Sequence, residues 1–141
     1  MKIRNGFVSN SSSASFIVAV KQGDKCPHCG RTDVDFLDLV EKMGAKADYE
    51  DTELKSRGPQ DIWNKWEKDI LPYCGEEEKK DHEQIFRLML EAEEKGYKVG
   101  EVEISYHDSS TESLLHDLEA RKSLVVIWCD HYKFNPDKVK L

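Results

Sequence analysis

No apolar run in this chain is long enough to cross a membrane. The longest, Leu124 to Cys129, stops after six residues, where a spanning helix needs about 20. No secretory leader is expected either, because Met1-Lys2-Ile3-Arg4-Asn5 leads into polar serines instead of an apolar core. Positive charge is scarce. Lys and Arg number 21 against 28 Asp and Glu, a formal net charge of −7. A sequence-independent grip on nucleic acid or on an anionic membrane needs the opposite balance, since cations must replace released counterions. The expected setting is cytoplasmic, with no membrane and no nucleic acid as partner. Cysteine is limited to four positions and a second Cys-x-x-Cys is absent. In a reducing compartment those four point to metal or inert thiols before disulfides.

What is present suffices for a core. With 141 residues and 38% hydrophobic content, three Trp and five Phe among them, the chain is one domain by length and too apolar for a disordered tail. Lys2 to Val8 is a candidate short strand, although Asn5-Gly6 is a turn signal. Phe16-Ile17-Val18-Ala19-Val20 is a continuous apolar run, the mark of a strand covered on both faces. Thr32 or Asp33 can cap a helix whose face carries Phe36, Leu39, Val40 and Met43, with Gly44 as its stop. Residues 45–57 are charged and aperiodic and read as a surface loop. Gly58-Pro59 opens a second helix with Ile62, Trp63, Trp66 and Ile70 as its stripe. A third, Glu76 to Lys95, places acids in its first turn and buries Ile85, Phe86, Met89 and Ala92.

Gly96 closes that helix. Val102, Ile104 and Tyr106 then alternate with Glu101, Glu103 and Ser105, which predicts a half-wet strand at a sheet edge. Ser109-Ser110-Thr111-Glu112 is a capping box for a helix with Leu114, Leu115 and Leu118. Leu124 to Trp128 is apolar throughout and reads as a central strand. Strand, helix, strand makes a βαβ unit with parallel strands. Residues 130–141 read as a loose polar tail. The expectation is a single α/β domain, 1–141, with a three- to four-stranded mixed sheet and about four helices.

Cys26-Pro27-His28-Cys29-Gly30 is the most specific local signal. Two thiolates three residues apart on a tight turn face one ion, and zinc asks for four such ligands. The turn resembles the knuckles of zinc ribbons and rubredoxins, which implies structural zinc on Cys26 and Cys29. Cys74, in a similar Cys-Gly turn, is the expected third ligand; Cys129, His131 and His82 are the alternatives for the fourth. Cys-Pro-His-Cys is also similar to the motif of thioredoxin-fold disulfide oxidants, and implies thiol-disulfide oxidoreductase chemistry as a rival. Against it, the helix cap follows the motif, and no proline immediately precedes a later strand.

Ser9, Asn10, Ser11, Ser12 and Ser13 form a tract with three meanings: a solvated turn, a phosphate or nucleotide site, or a recognition handle. Phosphate loops carry more glycine and feed a helix, whereas this tract feeds a strand. Gly6-Phe7-Val8-Ser9-Asn10-Ser11-Ser12-Ser13-Ala14-Ser15-Phe16-Ile17 resembles the opening of a group of uncharacterised small bacterial and phage proteins. The resemblance implies no known activity, but fixed wording argues for a task beyond solvation.

Other pairings carry less. His107-Asp108 and His116-Asp117 are adjacent residues and have no built-in acid–base geometry. Glu101-x-Glu103 is similar to the paired acids of ADP-ribosyltransferases. The leading expectation is a non-catalytic zinc-binding module that binds a protein partner through Ser9–Ser13. The alternatives are a phosphate- or nucleotide-binding protein or enzyme using that loop, and then a thiol oxidoreductase.

Overall fold

The serine tract does not stop short of the sheet. Ser13–Val20 is β1, an interior strand paired on both sides, so the ladder begins three residues before the first large apolar side chain. The computed structural model describes residues 13–21, 28, 35–44, 52–105 and 109–141. The candidate strand at 2–8, residues 9–12, Cys26, Cys29, the caps at Thr32 and Asp33, and Tyr106 to Asp108 lie outside the described residues.

Along the chain follow α1 (Phe36–Gly44), β2 (Thr52–Arg57), α2 (Pro59–Asp69), α3 (Glu76–Glu94), β3 (Lys98–Ser105), α4 (Ser109–Ala120) and β4 (Leu124–Cys129). A short 3-10 turn, Leu71–Tyr73, joins α2 to α3. The expected α/β class holds, with four helices and one four-stranded sheet among the described residues.

The sheet order is β2-β3-β1-β4 and every pairing is antiparallel, where a mixed sheet was expected. The reason lies in the β3–α4–β4 unit. Both strands are antiparallel to β1, so they run parallel to each other as anticipated, but β1 fills the space between them. Two further corrections concern position. β3, expected at an edge, is interior, and β4, expected at the centre, is an edge. An apolar run reports that both faces are covered; it says nothing about whether both edges are paired. The loop assigned to 45–57 ends in the other edge strand, β2, whose charged side chains hid it.

Strand alternation divides the core into two layers. Phe16, Val18, Val20, Val102, Ile104 and Leu124 pack against Phe36, Leu37 and Val40 of α1 and Leu115 and Leu118 of α4. Ile17, Ala19, Val99 and Ile127 pack on the opposite face against Ile62 and Trp66 of α2 and Ile85, Met89 and Ala92 of α3. Helices therefore cover both faces. Phe134, Val139 and Leu141 join the second layer, which docks the closing residues against α3's side of the sheet.

Local chemistry sets the helix ends. Asp35 accepts from the Asp38 N–H at 3.2 Å and caps α1. At the end of α3, Gly96 takes a φ of +91°. Tyr97 N–H then reaches Ala92 O at 2.9 Å and Gly96 N–H reaches Glu93 O at 3.0 Å, a Schellman motif. Gly100 has a different task. A Cβ there would lie 2.7 Å from Leu37 Cδ2 and 3.3 Å from Ser56 O, so a bare backbone is what lets α1 settle on β3.

Candidate functional site

The end of β1 gathers charge from three other elements. Ser15 lies two residues from Ile17 and so shares its face, the one covered by α2 and α3. Its N–H donates to Asp130 Oδ1 at 3.0 Å, and its carbonyl accepts from the Asp130 N–H, also at 3.0 Å. Asp130 follows β4 directly. On the other side Ser15 is the cross-strand partner of Glu103 of β3. Glu101 sits two residues before Glu103 on the same face.

Lysines answer these acids from β2 and α2. Lys55 Nζ is 2.6 Å from Glu53 Oε1 and 3.6 Å from Glu103 Oε1. Burial works against its charge, but Glu53 and Glu103 outweigh burial and raise its pKa. Lys55 is the bulge residue between Leu54 and Ser56, and Lys65 of α2 donates to its carbonyl. Burial raises the Glu101 carboxyl above the ordinary glutamate range, with Glu103 and Asp130 adding to the rise and Lys65 and Lys55 opposing it. Asp130 is raised for the same first reason, against the pull of the Ser15 N–H and of His131, whose Nε2 is 3.6 Å away.

A testable pH dependence follows from Glu101. A carboxyl whose folded pKa exceeds its unfolded value holds its proton more tightly when folded. Stability is then fully favoured below the ordinary glutamate pKa of about 4.3 and declines as pH rises through the raised value. Glu101→Gln is expected to melt higher than the wild type at neutral pH and to lose that advantage in acid. Thermal melts across that range check it; a variant that melts lower at neutral pH would show that the lysines outweigh burial.

Of the sequence-predicted ligands, Cys74, Cys129, His82 and His131 are among the described residues. Cys74, half-buried after the 3-10 turn, donates its thiol to Ile70 O at 3.3 Å. Burial and Glu78 both push its pKa up. Cys129 is buried in the α1/α4 layer, and burial pushes its thiol up to about 11. His82 places Nδ1 2.7 Å from Glu78 O, which fixes the proton on that nitrogen. Its ring stands edge-on to Trp66 at 4.6 Å and near Trp128 at 5.7 Å. Among the described residues no group of three or more His, Cys, Asp or Glu is placed to hold a metal. Of the serine tract, Ser13 opens β1 opposite Ser105.

Asp130 and Lys65 were not singled out from the sequence. Asp130 meets Ser15 across 115 residues, and no local pattern announces such a pairing. Glu101-x-Glu103 was legible as a pair of acids on one strand face; the lysines opposite it were not.

Comparison with protein-family models, curated proteins and solved structures finds no match to this chain. No helix among the described residues is long and apolar enough to cross a membrane.

Proposed function

We propose that this protein is a non-catalytic interaction module that presents Ser9–Ser13 to a protein partner from a rigid sheet, with structural zinc on Cys26, Cys29 and Cys74. One observation carries the reading. Ser13, the last residue of the tract, opens an interior strand, and Asp130 makes two hydrogen bonds to the Ser15 backbone, one through its carboxylate and one through its N–H. A recognition segment anchored on a rigid element loses less entropy on binding than one on a free tail.

The field at that anchor weighs against the phosphate alternative. An anion bound at the base of the tract would meet Glu101, Glu103 and Asp130, with Lys55 already held by Glu53 and Glu103. The oxidoreductase alternative rests on Cys26 and Cys29, which lie outside the described residues.

The test is a triple substitution, Ser11→Ala, Ser12→Ala and Ser13→Ala. Hydroxyls that only solvate a turn can be lost within about ±0.5 kcal/mol, so on this reading the melting temperature should hardly change. A specific protein recovered with the wild type from its own host cells should be lost with the triple variant. A nucleotide or inorganic phosphate that stabilises the wild type alone would instead establish the phosphate reading, because a ligand of the folded state raises its stability by mass action. The zinc is checked separately. Purified protein is expected to carry close to one zinc per chain and to melt lower after chelation. Metal-free protein with unchanged stability would remove zinc from the proposal.

A further inference from the structure

The negative charge of this protein is concentrated on one helical hairpin. From Pro59 to Glu94, α2, the joining turn and α3 carry eleven acids and five bases, a net of −6 out of −7 for the whole chain. Between the two helices opens a hollow of about 350 Å³, at the small end of hollows that hold a ligand. Trp63 and Glu67 line it from α2, Lys79 and Glu83 from α3, and Leu71 and Pro72 from the turn. Each helix contributes two residues four apart, which share one face.

Trp63 is held in place by its neighbours. Phe86 stacks on it with ring centroids 4.8 Å apart, and Trp66 meets it edge-on at 6.4 Å. Among aromatic side chains an indole is the best partner for a cation, because the ring carries negative charge on its face. Glu67 and Glu83 stand exposed on the two helices, and neither carboxylate has an ion pair among the described residues. Asp38 and Glu41 of α1, by contrast, already hold Arg57 at 2.7 and 2.9 Å. Lys79 is the one base of the lining, which keeps an excess of negative charge. Beside the hollow, the same turn exposes Tyr73 (86%) and Ile70 (38%). That apolar surface is more than a small free cation would cover.

We infer that this cleft docks a basic, extended segment of another protein, with an arginine or lysine side chain seated in the hollow. Charge complementarity selects that occupant. The cation lies against Trp63 between Glu67 and Glu83, its aliphatic stem packs on Leu71 and Pro72, and an apolar neighbour covers Ile70 and Tyr73. Tryptophan, tyrosine and arginine are the side chains in which binding energy concentrates at interfaces. A second copy of this chain, itself at −7, is repelled from the hairpin as a whole. The surface belongs to different elements from the serine tract and stands independently of it.

Fluorescence anisotropy with labelled peptides tests this on the full chain. The probe is a short peptide of arginine, leucine and glycine; one control replaces arginine by glutamate, the other replaces leucine by serine. The wild type is expected to bind the probe more tightly than either control, and less tightly as salt rises. Glu67→Gln with Glu83→Gln should weaken binding about tenfold at an unchanged melting temperature. Glu93→Gln with Glu94→Gln removes the same charge from the far end of α3, about 15 Å along its axis, and should leave the affinity nearly unchanged. In NMR spectra the probe should shift the Trp63 indole N–H signal. A wild type that does not bind the probe would overturn the proposal. So would equal losses in the two double variants, which would reduce the effect to net charge, or an unmoved Trp63 signal. Self-association of the wild type that is lost with Glu67→Gln and Glu83→Gln would also overturn it, by making a second copy the occupant.

Discussion

Val18→Asp is expected to leave the chain without a cooperative unfolding transition. Val18 is fully buried at the middle of β1, paired to Gly100 of β3 and Val126 of β4, and its side chain lies under α1 and α4. Among the described residues of that layer there is no cation to meet a carboxylate, and an unpaired buried charge costs several kcal/mol after relaxation. The lost burial of valine adds about 1.5–3 kcal/mol. Against a total stability of about 5–15 kcal/mol, the sum consumes most or all of it. Circular dichroism and a thermal melt check this directly. Val126→Asp provides the contrast. Val126 is half-buried on an edge strand, so its carboxylate reaches water and the variant should still fold, with a lowered melting temperature. Equal collapse of both variants would contradict the strand order β2-β3-β1-β4.

The second large effect is at Trp66. It is 1% exposed and is the largest fully buried side chain, with Trp63, His82 and Trp128 at ring-centroid distances of 6.4, 4.6 and 6.1 Å. Trp66→Ala should cost about 3–5 kcal/mol through lost transfer energy and the cavity left behind. At about 2–4 °C per kcal/mol for a domain near this size, the melting temperature should fall by roughly 6–20 °C. Trp66→Phe should cost far less. The Trp66 Nε1 is buried without a hydrogen-bond partner among the described residues, so phenylalanine removes an unsatisfied donor along with part of the ring. Denaturant melts of both variants decide it. A loss below about 1 kcal/mol for Trp66→Ala would mean that the α2/α3 layer is not a packed core.

Legibility differed from element to element. Pro59 after Gly58, the acids at Glu76 to Glu78 and the Schellman glycine Gly96 all act within a turn of their own position. They marked the ends of α2 and α3 correctly. β2 was hidden for the opposite reason. Its residues are polar because an edge strand must resist pairing, and a polar strand looks like a loop until its partner is in place. The tract at Ser9–Ser13 was legible as unusual, but the contact of Ser15 with Asp130 was not, because Asp130, just after β4, lies 115 residues away in the chain.

The sequence by itself determined that two continuous apolar runs, Phe16–Val20 and Leu124–Trp128, would be strands, and that amphipathic helices would pack on them. Side-chain periodicity carries that information because burial is decided residue by residue along one element. Only the tertiary structure decided which strand lies beside which. Neighbour order depends on backbone hydrogen bonds, and every residue except proline offers the same donor and acceptor whatever its side chain. That is why β1 lies between β3 and β4, why β4 is left as an open edge, and why Glu101, Glu103, Asp130 and Ser15 meet at one end of the sheet.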